Sequence, residues 1–444
     1  MRRIIVILGI LAAAGCAARS PYDRVYVSRT IEDRTGHALD PAPKPGETHL
    51  PPGVSIGDGL TEDEAVGLAL WNNTSFRGDL ADLSFARADL IEAGLLPNPL
   101  LSYLRLFGVK GQEGYVLWPV DALIQRPKKV AAAKFNVERV ASNLIQVGTA
   151  LSRDTLIAYA DLVQARLLAK IAEDEARLGG EIAAIAAARL RAGDISGLEE
   201  AAAGVESLRA RDAAARAMKN AETAAVRFAV RLGFGEPLPV LTLTPCPDAA
   251  APPPPLPDLL ASALASRPDL KAAEVAIEAA GARLGWERAR VLKLTATLES
   301  KEKGDAGMFA GTSGKIEIPL FNRNESGKAR SRAEMERAAE NYVNVRQRIA
   351  QEVREARTAL ESARGSLVLF RDQVVPAASD LMEKAKKAFT AGEESYLFVL
   401  DAERSLLEAK RREAEAAADV RRADARLKSG LGTYRTAADG AAAK

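Results

Sequence analysis

A cysteine follows a short apolar run near the start of the chain, and lipid attachment is the chemistry its position suggests. Arg2 and Arg3 precede an apolar run from Ile4 to Ala14. At about eleven residues the run is too short to span a bilayer and is typical of a secretion signal. The residues Ala-Gly directly before Cys16 match a bacterial lipobox, in which the cysteine is lipidated and becomes the mature N-terminus. An ordinary signal peptide with an incidental cysteine is the alternative.

The residues around Cys16 also indicate which bacterial membrane would hold the lipidated protein. Ala13 stands where leucine is commoner in a lipobox. Ala17 follows the cysteine, so the aspartate that in many bacteria retains lipoproteins at the inner membrane is absent. This pattern favours the outer membrane.

Few other residues offer catalytic or metal chemistry. With Cys16 lipidated, Cys246 has no disulfide partner, and the two histidines, His37 and His49, lie in the N-terminal segment. These residues are too few for a closed N/S metal site, and no phosphate loop or nucleophile with its base is recognisable. We therefore expect no enzyme activity, no cofactor and no metal. A formal charge of +2 on 444 residues provides no field for gathering nucleic acid.

Long helix-like runs in both halves of the chain are interrupted by one short turn sequence. The first turn reads AGDIS from Ala192, and the second reads AGEES from Ala391. From Gly193 to Gly233 is 40 residues, and from Gly392 to Gly432 is also 40. This equality indicates a duplication of one helical hairpin, in which glycine allows the chain to reverse.

The duplication sets the domain organisation. Residues 17–57 lack periodicity and predict an extended arm, while residues 235–257 are rich in proline and separate the repeats. The predicted segments are a signal peptide and lipidation site at 1–16, the arm at 17–57, a first repeat at 58–234 with its turn at about 192–197, the linker at 235–257, a second repeat at 258–432 with its turn at about 391–396, and a flexible tail at 433–444.

The runs before the turns predict very long helices. Residues 128–191 are rich in Ala, Leu, Arg and Glu, which favour helix, and at 1.5 Å per residue they would extend for about 96 Å. The matching run, about 328–390, contains Pro376, which should kink or break it. Gly179 and Gly180 stand at the matching place in the first copy, so both helices should weaken there. A solvated coiled coil is the alternative to a densely packed helical wall.

Two short segments in each repeat predict β-strands instead. LKLTATLES from Leu292 and GKIEIPLF from Gly314 alternate apolar and polar residues, as a strand with one apolar face does. The predicted strands lie at about 100–107, 114–121, 291–300 and 312–321. Tyr103, Tyr115 and Trp118 would be interfacial aromatics if the strands cross a bilayer. Two soluble hairpins are the alternative.

Four strands are too few to close a transmembrane barrel. An open edge in lipid leaves backbone groups unpaired, and bacterial barrels begin at eight strands. If these hairpins enter a membrane, several chains must therefore share one barrel.

Three stretches carry a family resemblance: AGLLPNPLLS from Ala93, IPLFNRNESGKARSRAEME from Ile318, and AFTAGEESYLFVLDAERSLLEAK from Ala388. In their order and spacing they resemble the TolC family of outer-membrane efflux proteins, especially its lipoprotein branch used with RND pumps. The resemblance implies a mostly α fold with a small β part. Long α-helical hairpins would form an α-barrel in a homotrimer, and four transmembrane strands per chain would contribute to a shared 12-stranded β-barrel.

The resemblance also implies where the working parts lie. The turns would form the periplasmic tip, where a membrane-fusion adaptor docks; the residues concerned are Gly193, Asp194, Gly392, Glu393 and Glu394. In the family, acidic residues after the second turn point into the pore. The family sequence VLDA is matched here from Val399, so Asp401 is the gate candidate. Phe398 stands where some members have a second aspartate, which indicates one carboxylate ring beside an aromatic constriction. A solvated Asp401 is the alternative.

The function implied is a passive outer-membrane exit duct of a tripartite efflux system. It would be lipid-anchored, with a helical tunnel in the periplasm, and would work with an adaptor and an inner-membrane pump of the RND or ABC type. A periplasmic adaptor and a structural coiled-coil lipoprotein without a pore are the alternatives. The cargo, whether metal ion, drug or secreted protein, is left open.

Overall fold

The computed structural model describes residues 18–41, 44–105, 111–244, 252–302, 307–391 and 393–434, so Cys16, Cys246 and Gly392 lie outside the described residues. The helices are α1 (Arg24–Thr35), α2 (Glu62–Asn72), α3 (Thr74–Asp79), α4 (Ala81–Gly94), α5 (Asp121–Ala192), α6 (Gly197–Arg231), α7 (Leu256–Ser266), α8 (Pro268–Ala289), α9 (Glu325–Leu369), α10 (Val375–Ala391) and α11 (Tyr396–Leu431). A π-helical turn (Phe370–Val374) joins α9 to α10. The strands are β1 (Leu100–Arg105), β2 (Gln112–Pro119), β3 (Lys293–Glu302) and β4 (Met308–Glu317).

The chain divides into two compact units. The first consists of residues up to 27 with residues 78–146 and 268–347, and it holds the β-sheet. The second consists of residues 28–77 and 147–267 and those from 348 onward, and it holds both helical turns. The mostly helical fold with a small sheet confirms the predicted fold class.

One antiparallel sheet in the order β1-β2-β3-β4 joins the two predicted hairpins. Val116 of β2 pairs with Leu298 of β3, so the strands of the two repeats form one continuous ladder. The two hairpins are thus joined edge to edge through β2 and β3, although these strands are more than 170 residues apart in sequence.

The last strand lies earlier than the alternation indicated. β3 runs from Lys293 to Glu302 and β4 from Met308 to Glu317, against predictions of 291–300 and 312–321. β4 ends before Pro319, because proline has no N–H to donate to a ladder. Its first residues pair instead with the end of β3, where Met308 lies opposite Glu302.

In the second unit both hairpins pack around one apolar core near the turns. The core draws on α5, α6, α10 and α11; its buried members are Ile182, Ala186, Ala203, Met382, Ala385, Phe389, Val399 and Ala402. Four of the eight are alanines, which let helix backbones approach closely. The arginine head group of Arg189 lies 4.8 Å from the ring centroid of Phe389 and adds a contact between α5 and α10.

The helix α5 is not interrupted at Gly179 and Gly180, where the sequence predicted that it would weaken. The helix continues through Gly179 and Gly180 to Ala192. A Cβ on Gly179 would lie 3.6 Å from the Cα of Ser207 in α6, which is an ordinary van der Waals distance, so α5 and α6 are in contact at this point. The gain from that contact offsets the low helix propensity of glycine.

The predicted interruption at Pro376 takes the form of a π-helical turn. Phe370–Val374 is π-helical and α10 begins directly after it. Proline cannot donate to the carbonyl four residues earlier and its ring crowds that carbonyl. A wider turn accommodates the ring while the chain remains helical.

The predicted extended arm is also wrong, because residues 24–35 form α1. Within it Ile31 is fully buried and its side chain lies against Gly148 of α5, where a Cβ would meet the Ile31 Cδ1 at 2.7 Å. The helix is rich in Val, Ile and Thr, which are weak helix formers, so tertiary packing stabilises it. The segment after it is held by backbone and side-chain hydrogen bonds between His49 and Asn72, both of 2.8 Å.

Arg34 ties α1 to the end of the second repeat. Its guanidinium donates to the carbonyl oxygens of Gly432, at 2.5 Å, and Ser266, at 2.8 Å. We expect Arg34→Ala to lower the free energy of unfolding by about 2–3 kcal/mol, because two charged hydrogen bonds to carbonyl oxygens are lost. Thermal unfolding followed by circular dichroism measures the effect. Arg29→Ala, an exposed position on the same helix, is the control and should change little; equal destabilisation by both variants would contradict this role.

Among the residues that the structure describes, no helix is both long enough and apolar enough to cross a membrane.

Candidate functional site

The two turns share one backbone hydrogen bond. In the first, Gly193 has φ +82° and the N–H of Asp194 donates to the carbonyl of Arg189 at 2.9 Å. In the second, the N–H of Glu393 donates to the carbonyl of Ala388, also at 2.9 Å. Each donor and acceptor in one copy stands 199 residues from its counterpart in the other. The hydrogen bonding therefore supports duplication of the turn.

The helices that leave the turns differ in their caps. Ser196 caps α6 and forms a capping box with Glu199. Ser395 has the same backbone conformation before α11, but its side chain makes no capping bond. The position of Glu199 is taken in the second copy by Phe398, which is 43% exposed. The second copy therefore has an exposed aromatic ring at the position where the first copy has a carboxylate that caps the helix.

One exposed stripe runs along α11 from this phenylalanine. Phe398, Asp401, Ser405, Glu408 and Arg412 are all exposed and follow one another at intervals of three and four residues, which places them on one face of a helix. The residues beside the stripe, among them Val399 and Ala402, are buried in the core near the turns.

Two carboxylates on this stripe have no ion-pair partner among the described residues: Asp401 and Glu408. Further along the stripe, Arg412 pairs with Glu415 at 3.0 Å, and Asp419 pairs with Arg422 at 2.8 Å. The end of the stripe near the turn therefore carries uncompensated negative charge. The sequence motif indicated Asp401, whereas Glu408 was missed although its spacing of seven residues from Asp401 is a readable signal.

The register of the sheet gathers most of its apolar residues on one face, although Leu100, Leu117 and Phe309 lie on the other. On the apolar face Leu101 lies opposite Val116, Val116 opposite Leu298, and Leu294 opposite Ile316. Its aromatic residues are Tyr103, whose hydroxyl donates to Gln112 at 2.9 Å, and Trp118, whose indole N–H donates to the carbonyl of Pro97 at 3.0 Å. They lie toward opposite ends of the strands. An apolar band with aromatic residues at its edges is typical of a lipid-facing barrel surface.

The opposite face carries paired charges. Lys293 pairs with Glu317 at 2.9 Å, and Lys301 pairs with Glu113. Tyr115 also lies on this face, opposite Glu299, and its hydroxyl donates to Glu113. Its interpretation as an interfacial aromatic is therefore not supported, because successive residues of a strand point to opposite faces.

The two histidines, His37 and His49, each contact a carboxylate of the N-terminal part of the chain. The Nδ1 of His49 lies 2.8 Å from Asp40, and the Nε2 of His37 lies 3.0 Å from Asp63. Hydrogen bonds to Asp40 and then to Glu47 raise the pKa of His49. Within the described ranges, no three His, Cys, Asp or Glu residues are placed to hold a metal ion.

The duplicated hairpins and the single two-faced sheet point to a class, the outer membrane efflux proteins, which this chain resembles. Residues 259–433 match the family described as "Outer membrane efflux protein". The chain is 26% identical over 356 residues to the cobalt-zinc-cadmium resistance protein CzcC of Cupriavidus metallidurans, covering 79% of this chain and 85% of CzcC.

Two further comparisons agree with this resemblance. The cation efflux system protein CusC of Escherichia coli strain K12 is 31% identical over 154 residues, which are 32% of this chain and 34% of CusC. A crystal structure of CusC superposes with a TM-score of 0.71 at 20% identity, covering 89% of this chain and 98% of that one. The superposition supports the fold that the repeats and strands indicated.

Proposed function

We propose that the protein is the outer-membrane exit duct of a tripartite efflux system, and that it conducts cargo passively and catalyses no reaction. The observation that carries the proposal is the sheet, whose register places an apolar surface on one face and paired charges on the other. Such a sheet fits a wall between lipid and water. The similarity of the chain to outer membrane efflux proteins supports the assignment.

The open edges of the sheet require more than one chain. β1 and β4 each have one neighbour within the chain, and in lipid their outer edges must pair. Three chains with four strands each would close a barrel of the size range found in bacterial outer membranes. We propose that a homotrimer does so, with the apolar face toward lipid and with Cys16 acylated and inserted in the membrane.

The two turns are the proposed contact with the periplasmic adaptor. Asp194, Glu393 and Glu394 are exposed there and present carboxylates beside backbone reversals. An inner-membrane pump would deliver cargo through that adaptor. The exposed stripe of α11 would line the duct, with Phe398 and Asp401 at its narrow end.

The cargo class we propose is divalent metal cations. CzcC and CusC are named for metal and cation systems, and the unpaired Asp401 and Glu408 suit the passage of cations. Deletion of the gene in its host should lower tolerance to zinc, cobalt or cadmium salts and leave tolerance to organic drugs unchanged. Loss of drug tolerance alone would contradict the cargo class without affecting the duct.

Conductance tests the duct itself. Protein purified in detergent and added to a planar bilayer should produce discrete current steps and elute as a trimer. A soluble, elongated particle without conductance, obtained from a chain that lacks residues 1–16, would favour the adaptor or a coiled-coil lipoprotein instead.

A further inference from the structure

A buried carboxyl group lies beside the proposed gate and has no part in the duct as described so far. Glu403 of α11 is only 6% exposed, while Asp401, two residues earlier, is exposed. Its neighbours in sequence, Val399 and Ala402, belong to the core shared by α5, α6, α10 and α11. α10 contributes the apolar side chains of Met382, Ala385 and Phe389 to that core.

Two ion pairs hold α11 to α6 and α5 in the part of the helix that follows Glu403. Arg404 pairs with Glu206 of α6 at 3.2 Å, and Arg411 pairs with Glu175 of α5 at 2.5 Å. Glu206 also pairs with Arg209 on its own helix, at 2.9 Å. The charges that act on Glu403 therefore come from a carboxylate of α5, a carboxylate of α6 and the adjacent Arg404.

This environment favours the neutral acid. Burial raises the pKa of Glu403 to about 7, with further upward contributions from Glu175 and Glu206 and an opposing one from Arg404. A carboxyl group of this kind changes charge close to neutral pH, whereas an exposed glutamate is ionised throughout that range.

The group is present in the second hairpin alone. The residue 199 positions before Glu403 is Gly204, on the helix that leaves the first turn. The buried acid therefore belongs to the hairpin that carries Asp401, and the corresponding position of the other hairpin holds glycine.

We propose that Glu403 is a proton-operated latch: when protonated it allows α11 to pack against α5 and α6 near the turn, and when ionised it loosens that packing. The ionised form would place a third carboxylate in the core beside Glu175 and Glu206. It would compete with Glu206 for Arg404, which ties α11 to α6. It would also repel Glu175, which ties α11 to α5 through Arg411.

The direction of the pH effect follows from the two states of the group. In the packed arrangement the pKa of Glu403 is about 7, and in a loosened, hydrated arrangement it returns toward 4.5. Packing is therefore strongest below about pH 4.5, weakens as the pH rises to about 7, and changes no further above that. The ratio of loosened to packed molecules should rise by at most about 300-fold across this window.

The test measures the distance between α6 and α11 in the full-length protein in detergent. Spin labels are introduced at Leu208 and Ser405, both exposed, through an unnatural amino acid, because the chain contains native cysteines. The labelled chain is diluted with unlabelled chains, so that most trimers hold one label pair. Pulsed electron–electron double resonance should then give one narrow distance distribution at pH 5 and an added, longer population at pH 8. Glu403→Gln should retain the narrow distribution at both pH values.

Asp419→Asn is the matched control, since it removes an exposed carboxyl on the same helix and should leave the pH response intact. Glu403→Met provides a second neutral variant should the glutamine variant fold poorly. The latch would be overturned if the distance distribution of the wild type did not change with pH. It would also be overturned if the change with pH persisted in both Glu403 variants. Because no current is recorded, this outcome is independent of whether the protein conducts.

Discussion

Leu298→Arg is expected to prevent stable insertion of the sheet into the outer membrane. Leu298 lies near the middle of β3 on the apolar face, between Val116 and Thr312, and is 54% exposed in the single chain. An arginine on the lipid face of a barrel costs about 2–4 kcal/mol near the bilayer centre. In a trimer that cost applies once per chain. We expect the trimer yield in outer-membrane fractions to fall at least about tenfold.

Ser313→Arg is the matched control for this prediction. Ser313 is exposed on β4 and lies opposite Thr297 on the polar face of the same sheet, where a charge would meet water in the duct. Membrane fractionation followed by native electrophoresis compares the two variants. Equal insertion of both would show that the apolar face does not contact lipid, and equal loss of both would indicate a general folding defect.

Asp401→Ala is expected to weaken the block of the channel by divalent cations by about tenfold. Three copies around a narrow axis would repel one another and attract cations. A tenfold change corresponds to about 1.4 kcal/mol of cation binding. Glu408 lies about 10 Å further along the same stripe, so Asp401→Ala with Glu408→Gln should weaken the block more than either change alone.

Lys410→Gln provides the control, because Lys410 is exposed on the side of α11 opposite to Asp401. Single-channel recordings over a series of calcium or zinc concentrations would measure the block. An unchanged block in Asp401→Ala would remove this residue from the pore. A change of equal size in Lys410→Gln would indicate a general surface-charge effect.

The parts of the fold that depend on local sequence were predictable. The glycine at each turn and the equal return of 40 residues indicated the hairpins, and the backbone hydrogen bonds of Asp194 and Glu393 agree with them. The strands followed from alternation. β4 was misplaced because its first residues, Met308 to Gly311, have no alternating pattern and are paired only through their partner strand.

Features that depend on tertiary packing were not predictable. α1 consists largely of weak helix formers and forms because Ile31 is buried and Arg34 bonds to Gly432. Gly179 resembled a helix breaker but is a contact point between α5 and α6. Glu403 stands among charged residues, and its burial follows from the packing of helices that are distant in sequence.

The measurement that most directly tests the duct is single-particle electron cryomicroscopy of the lipidated, full-length protein in lipid nanodiscs. The account predicts three chains around one axis, a closed barrel of their combined strands within the bilayer, Leu298 toward lipid and Asp401 toward the axis. A single chain, or a particle whose sheets lie outside the bilayer, would contradict it.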